Sequence, residues 1–270
     1  MEIVGLIPAA GEARRISPIP CSKELFPVGL ETNDRKDTRI KVVSHYLLEK
    51  MKRAGASKGY IILRDGKWDI PAYWGDGAKI EMPIAYLMMG SPYGVPYTLD
   101  QAYPFVKDKL IFFGFPDIIF QPDDAFVKLG IKLQESGTDL VLGLFPAHQP
   151  EKMDMVEIDA ANGIRSIFIK PQQTDLRYTW IIAVWGPRFT QFMHDYIRIQ
   201  QPNFKKGKTP GFFSKQQELY LGHIIQAAID QKIATEAIIF EEGTYLDIGT
   251  PDDLAKAVKI YFHSKVYPHG

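Results

Sequence analysis

The sequence predicts an α/β fold in which a mostly parallel sheet is covered by helices on both faces. Short β-branched and aromatic runs alternate with segments whose apolar residues recur at helical spacing, and the chain length suits one large domain. At 270 residues the chain can bury roughly three-quarters of its unfolded surface in a single core, so residues 1–270 are read as one domain.

The elements follow in order. Residues 3–7, 60–63, 110–115 and 140–145 read as buried strands. Between the first two, Val42, Val43, Tyr46, Leu47, Leu48, Met51 and Ala54 form one apolar stripe, closed by Gly55 where a left-handed helix cap would sit. Past residue 140 the rhythm changes: 156–158, an Asn-Gly turn within 159–163, and 164–169 predict an antiparallel hairpin added to the parallel sheet. Residues 201–210, rich in lysine and proline, predict a solvated loop, and 214–232 are helical in pattern. Pro251 with Asp252 and Asp253 opens a final helix to about His263. In such folds ligands sit beyond the carboxyl ends of the strands, so the loops after strands are the places to search.

Composition narrows the function. Hydrophobic residues at 46% and charged residues at 24% exclude disordered, collagen-like and membrane classes. With 32 basic and 32 acidic residues the formal net charge is zero, so no global field draws the chain to nucleic acid or to an anionic membrane. The single cysteine, Cys21, allows no intrachain disulfide, and no Cys/His metal cluster is present, which fits a reducing compartment. The start of the chain, with acidic Glu2 and no basic flank, does not read as a signal peptide. The apolar runs at 110–115, 140–145 and 181–185 fall far short of the ~20 residues a spanning helix needs. The expectation is a cytoplasmic protein with neither nucleic acid nor membrane as partner.

The first strand runs into Pro-Ala-Ala-Gly-Glu-Ala-Arg-Arg at residues 8–15, with Lys23 close behind. Small residues let backbone N–H groups approach a phosphate, and arginine offers a planar fork of donors that matches phosphate oxygens. The stretch is neither a Walker A loop nor a Gly-x-Gly-x-x-Gly fingerprint.

Residues 8–29 (PAAGEARRISPIPCSKELFPVG) resemble the signature loop of the sugar-phosphate nucleotidyltransferases, Ala-Ala-Gly-x-Gly-Thr-Arg-Leu followed by Pro-Lys-x-x-x-Pro-Val. Other stretches follow in that family's order. LIFFGFPD at 110–117 resembles the strand ending in a metal-holding Gly-Asp. IFIKP at 167–171 and IIAVWGP at 181–187 resemble the Glu-Lys-Pro segment and the strand after it. GTYLDIGTPDDLAKA at 243–257 is similar to Asp-Ile-Gly-Thr-Pro-x-x-Leu, the most specific of the matches. The resemblance covers nearly the whole chain.

It implies a single Rossmann-like domain that joins a nucleoside triphosphate to a sugar 1-phosphate, releases pyrophosphate, and uses Mg2+. Arg15 takes the place of the loop arginine that stabilises the phosphates, and Lys23 that of the lysine near the α-phosphate. Ala10, Gly11 and Glu12 fall in the nucleotide-binding loop, and Met89 and Gly94 at the positions that meet the base. Lys170 matches the lysine that holds the sugar phosphate, and Asp117 and Asp247 match the magnesium-binding carboxylates. Taken singly, each has a structural reading: Asp117 capping a turn with Pro116, Asp247 beside a helix start, a lysine before proline merely exposed. Their joint occurrence in family order favours function. Related proteins are often homo-oligomers, although no exposed apolar stripe in the sequence requires it.

Several positions depart from the pattern. Ala13 and Arg14 replace the loop's second glycine and threonine, Ser22 the proline before Lys23, Ile169 the glutamate of Glu-Lys-Pro, and Met89 a glutamine, while Pro116 separates the glycine from Asp117. Phosphate chemistry survives these changes, and the base and sugar stay open. The resemblance favours dTTP or UTP as donor. The alternatives are a non-catalytic nucleotide or nucleotide-sugar sensor and a cytidylyltransferase for another phosphate acceptor.

Overall fold

Residues 1–32, 38–90, 93–160, 163–205 and 218–266 are described by the structure, a computed structural model. Strand β1 (Ile3–Pro8) leads through the arginine loop to an antiparallel ladder of β2 (Pro27–Thr32) and β3 (Thr38–Val42). Helix α1 (Val43–Arg53) follows, closed by Gly55 at φ +95°, whose N–H donates to the Lys52 carbonyl at 2.9 Å. Next come β4 (Lys58–Arg64), α2 (Asp69–Trp74), β5 (Ile84–Met89), α3 (Val95–Asp100), α4 (Tyr103–Val106), β6 (Leu110–Gly114), β7 (Ile118–Gln121) and α5 (Ala125–Ser136). The second half holds β8 (Leu140–Pro146), β9 (Asp154–Ile158), β10 (Ile164–Ile169), β11 (Tyr178–Trp185), α6 (Pro187–Lys205), α7 (Leu221–Asp230), β12 (Thr235–Ile239), β13 (Thr244–Asp247) and α8 (Pro251–Val266).

The central sheet runs β10-β9-β11-β6-β1-β4-β5, with β8 on β11 and β12 on β8. Strands β6, β1, β4 and β5 are mutually parallel, as are β8 and β12. The fold is the expected α/β one, but its antiparallel part is larger than a hairpin. Strand β11 opposes β6, β8 and β9.

Alternation along the inner strands explains the two covered faces. Val4, Leu6, Ile111, Phe113 and Leu142 pack with Tyr97, Phe189 and Ile224 of α3, α6 and α7. Their neighbours Ile7, Phe112 and Val141 pack with Leu47, Trp74 and Phe126 of α1, α2 and α5. Each such side chain contributes roughly 1.5–3 kcal/mol by leaving water. Ile16, Phe26, Val28, Val43, Ile119, Ile248 and Ala257 form a third cluster near α8.

Some expectations change. The final helix continues to Val266, beyond His263. The loop expected at 201–210 is helical through Lys205, and 206–210 lie outside the described residues. Of the helix expected at 214–232, residues 214–217 also lie outside them, and the helix proper begins only at Leu221, after the Leu219 N–H bonds the Tyr93 carbonyl. The hairpin is present, with 161–162 outside the described residues. Among the described residues no helix is long and apolar enough to cross a membrane.

The segment bearing Lys23 is clamped from below. Ser22 Oγ donates to Asp69 Oδ1 at 2.7 Å, and Lys67 Nζ bonds both carboxylate oxygens of Glu24 at 2.8 and 3.0 Å. Glu24 is 2% exposed and Lys67 5%. Removing one partner of such a buried pair leaves an uncompensated charge, which costs far more than losing both. Lys67→Met is therefore expected to lower the unfolding free energy by about 3 kcal/mol, and Glu24→Leu with Lys67→Met to recover most of it. Urea unfolding of the three proteins checks this; equal losses in single and double variants would remove the pair as the anchor.

Candidate active site

The arginine loop leaves the carboxyl end of β1 over the middle of the sheet. Ala10 is buried, whereas Gly11 and Glu12 are exposed. A Cβ built on Gly11 would meet no atom within 4 Å, so neither packing nor a positive φ accounts for its glycine. Ala13 lies in the left-handed region at φ +52°, the conformation that the glycine it replaces adopts freely. Its carbonyl accepts the N–H groups of Ile16 and Ser17, both at 3.1 Å, and the Ser17 hydroxyl, closing a tight turn. Arg14 pairs with Glu12.

Arg15 points elsewhere. A Cβ on Gly249 would fall 2.7 Å from Arg15 Nη2 and 3.6 Å from Asp247 Oδ1, so this glycine leaves the guanidinium room beside Asp247. Thr250 then caps α8: its hydroxyl lies 2.6 Å from Asp253 Oδ2 and accepts the Asp253 N–H at 3.3 Å. The motif Asp-Ile-Gly-Thr-Pro thus combines a carboxylate, a gap and a helix start.

Asp117 and Asp247 meet by a route that sequence reasoning missed. The general rule that ligands sit beyond the carboxyl ends of the strands of one sheet does not describe Asp247. Instead β13 pairs with β7 in a separate two-stranded ladder, with Asp247 opposite Ile118, and the Ile248 N–H donates to the Asp117 carbonyl at 2.9 Å. Asp117 lies in the turn between β6 and β7, and Lys23 Nζ forms an ion pair with its carboxylate. Burial alone would lower the Lys23 pKa, but Asp117 and then Asp247 raise it above the usual value. Asp247 is pushed up to about 6 by burial and by the Asp117 charge, against the opposing pull of Lys23 and Arg15. Two carboxylates at one place are hard oxygen donors of the type magnesium takes, with Lys23 and Arg15 as their present counter-charges.

Lys170 closes β10 in the left-handed region, φ +44°, with its N–H on the Met153 carbonyl at 3.2 Å and its Nζ 4.0 Å from the Tyr220 ring centroid. Strained non-glycine backbone of this kind is held by its surroundings and clusters at functional sites. Ile169, in place of the glutamate, packs into the first core cluster. Met89 also packs there, opposite Arg64 at the end of β5. Gly94 precedes α3 at φ +112°, and a Cβ there would fall 2.1 Å from the Leu219 carbonyl, which gives this glycine a packing reason of its own.

Asp154 and Tyr220 beside Lys170, and Trp180 beside Phe115, were not singled out from the sequence. β8 takes one edge of β11 from Tyr178 to Trp185. On the other edge β6 pairs from Ile182 onward and β9 pairs with Tyr178 and Thr179. The hairpin therefore continues the sheet where β6 stops at Gly114, bringing Lys170 toward the mouth that holds Asp117. This shared edge leaves no local sequence signal.

The family model described as nucleotidyl transferase matches residues 4–264. The low-salt glycan biosynthesis nucleotidyltransferase of Haloferax volcanii is 23% identical over 97% of this chain, and a glucose-1-phosphate thymidylyltransferase of Streptomyces antibioticus 24% over 92%. The chain spans 66% and 63% of those proteins. A crystal structure of a protein described as a glucose-1-phosphate thymidylyltransferase from Bacillus anthracis, complexed with sucrose, superimposes with TM-score 0.76 at 19% identity, covering 99% of this chain and 97% of that one. A UDP-glucose pyrophosphorylase complexed with UDP-glucose gives 0.75 at 15%, covering 98% and 100%. At these identities the likeness to the solved structures is one of fold.

The raised pKa of Asp247 has a stability consequence. Between the ordinary value of 3.8 and about 6 the folded state holds more protons than the unfolded one, so stability falls as pH rises through that window. An asparagine has no such penalty. Asp247→Asn should gain, relative to the parent, on the order of 2 kcal/mol in unfolding free energy between about pH 4 and about pH 7.5, after allowance for partial solvent screening. Urea titrations at the two pH values measure the difference, and a constant offset would refute it.

Proposed function

The chain belongs to the nucleotidyl transferase family, and on that premise we propose that it is an enzyme joining a nucleoside triphosphate to a sugar 1-phosphate, with release of pyrophosphate. The observation that carries this reading is the convergence of Arg15, Lys23, Asp117 and Asp247 at one mouth of the sheet, with Lys170 on the hairpin that extends β6. The names of the similar proteins support a sugar-phosphate acceptor, and dTTP or UTP as donor.

The chemistry suits these residues. A sugar phosphate is already ionised near neutral pH, so its oxygen attacks the α-phosphorus without a strong general base, and the bond to pyrophosphate breaks. Bringing two anions together and stabilising the developing charge is the main task. Lys170 holds the acceptor phosphate. Lys23 exchanges its Asp117 partner for an α-phosphate oxygen, and Arg15 supplies donors to the triphosphate. Asp117 and Asp247 would hold magnesium, whose chemistry there is neutralisation of triphosphate charge.

Pyrophosphate release measured across dTTP, UTP, CTP, ATP and GTP with several sugar phosphates tests the reading. Turnover is expected with dTTP or UTP; preference for CTP would move the enzyme to another branch, and silence throughout would leave a binding protein. Asp117→Asn and Asp247→Asn should each abolish metal-dependent turnover, with the double variant little worse than either, because groups acting as a unit are non-additive. Removing divalent ions with EDTA should do the same.

Lys170→Ala separates the two halves of the site. It is expected to raise KM for the sugar phosphate by about tenfold or more, and KM for the nucleotide much less. The reverse order in steady-state kinetics would place Lys170 on the triphosphate side.

A further inference from the structure

The hairpin places a carboxylate where the acceptor is to bind. Asp154 starts β9, one register step beyond the Thr179–Met155 pair, which sets it opposite Trp180 on β11. The Thr179 hydroxyl donates to the Asp154 carbonyl at 2.9 Å and fixes that position. The Trp180 ring lies 6.1 Å, centroid to centroid, from that of Phe115, two residues before Asp117. Asp154 thus stands between Lys170 and the mouth at the end of β6.

Its surroundings leave it poorly compensated. Burial pushes the Asp154 pKa up to about 6, and Lys170 is the cation that opposes the shift. Among the described residues its carboxylate accepts no hydrogen bond. A Cβ on Gly222 would fall 2.6 Å from Asp154 Oδ2, so the start of α7 roofs the group closely. Tyr220 caps that helix under Lys170, and burial followed by the Lys170 charge lowers the pKa of His223, so the imidazole adds no countercharge. Among the described residues the buried indole Nε1 of Trp180 has no acceptor.

The proposed reaction sharpens the problem. Once Lys170 engages the acceptor phosphate, Asp154 is a half-buried anion beside another anion, which is unfavourable unless the acceptor itself brings the missing charge. We infer that Asp154 selects an acceptor phosphate bearing a positively charged amine, such as an amino-sugar phosphate. The inference rests on the nucleotidyltransferase reading for the presence of a phosphate on Lys170. A partly buried carboxylate that accepts no hydrogen bond among the described residues is the kind of group that binds an ammonium through charge-assisted hydrogen bonds.

The test compares matched acceptors: hexose 1-phosphates with an amine at C2, C3 or C4, and phosphoethanolamine, each against its hydroxyl counterpart. Affinity is read by calorimetry with the intact protein, and turnover by pyrophosphate release. At least one amine is expected to be preferred over its counterpart by about tenfold or more in Kd, and Asp154→Asn to reduce that preference to within about threefold, with the hydroxyl counterpart binding no more weakly than to the parent. Acceptors that bind and turn over with no amine preference overturn the inference and leave the reaction standing. Amine preference in binding without turnover supports the subsite and removes the reaction. No binding of any amine, or a preference that survives Asp154→Asn, overturns the inference, and the parent protein decides the first point even if the variant does not fold.

Discussion

A strand inside a sheet has two edges, and each backbone N–H and C=O along a buried edge must find a partner. Strand β11 meets that requirement unevenly. One edge is filled by β8 along its whole length, while the other is divided between β6, which stops at Gly114, and β9, which takes over beyond it. Because β6 must stop for its chain to turn into the Asp117 segment, the vacated edge is satisfied by a hairpin that carries Asp154 and Lys170. The backbone's demand for partners thereby sets the hairpin residues proposed to bind the acceptor next to those proposed to bind the phosphates.

The phosphate side is held by charges at three depths. Glu24 and Lys67 are buried together beneath the loop, Lys23 and Asp117 pair at the floor, and Arg15 lies near Asp247 at the rim. Burial raises the pKa of Glu24 against the pull of Lys67, and that of Asp247 against the pull of Lys23 and Arg15, so neither carboxylate is as well placed as it would be in water. Functional sites commonly keep such local disadvantage at a cost to stability.

How much of this was legible depends on whether the signal is local. The inner strands were, because burial on both faces produces continuous apolar runs such as Leu-Ile-Phe-Phe at 110–113. So was α1, whose stripe and terminal Gly55 are contiguous. The β2–β3 ladder and the β7–β13 ladder were not, since short strands of mixed polarity carry no period long enough to read, and their partners are fixed by tertiary packing. Among candidate residues, those in motifs could be named, but reasons for them could not. Gly94 is a glycine because its positive φ and the Leu219 carbonyl leave no place for a Cβ, Gly249 borders the Arg15 guanidinium, and Ser22 stands in place of a proline with its hydroxyl on Asp69. Asp154 carried no signal, because an acidic residue opening a hairpin strand looks solvated until α7 covers it.

The division of the β11 edge also bears on how such a protein can change over generations. The β9–β10 hairpin is tied to β11 through two register pairs, whereas β6 and β8 are laced into the core over four or more. Met155, Val156, Ile164 and Ile167 of the hairpin are buried, but a substitution at its Asp154 end touches none of the ladder that joins Asp117 to Asp247. On the proposed function, acceptor preference becomes a cartridge mounted beside a separate phosphate-handling frame. Lineages would then trade one small molecule for another at a few hairpin positions, without first having to rebuild the ladder that joins Asp117 to Asp247.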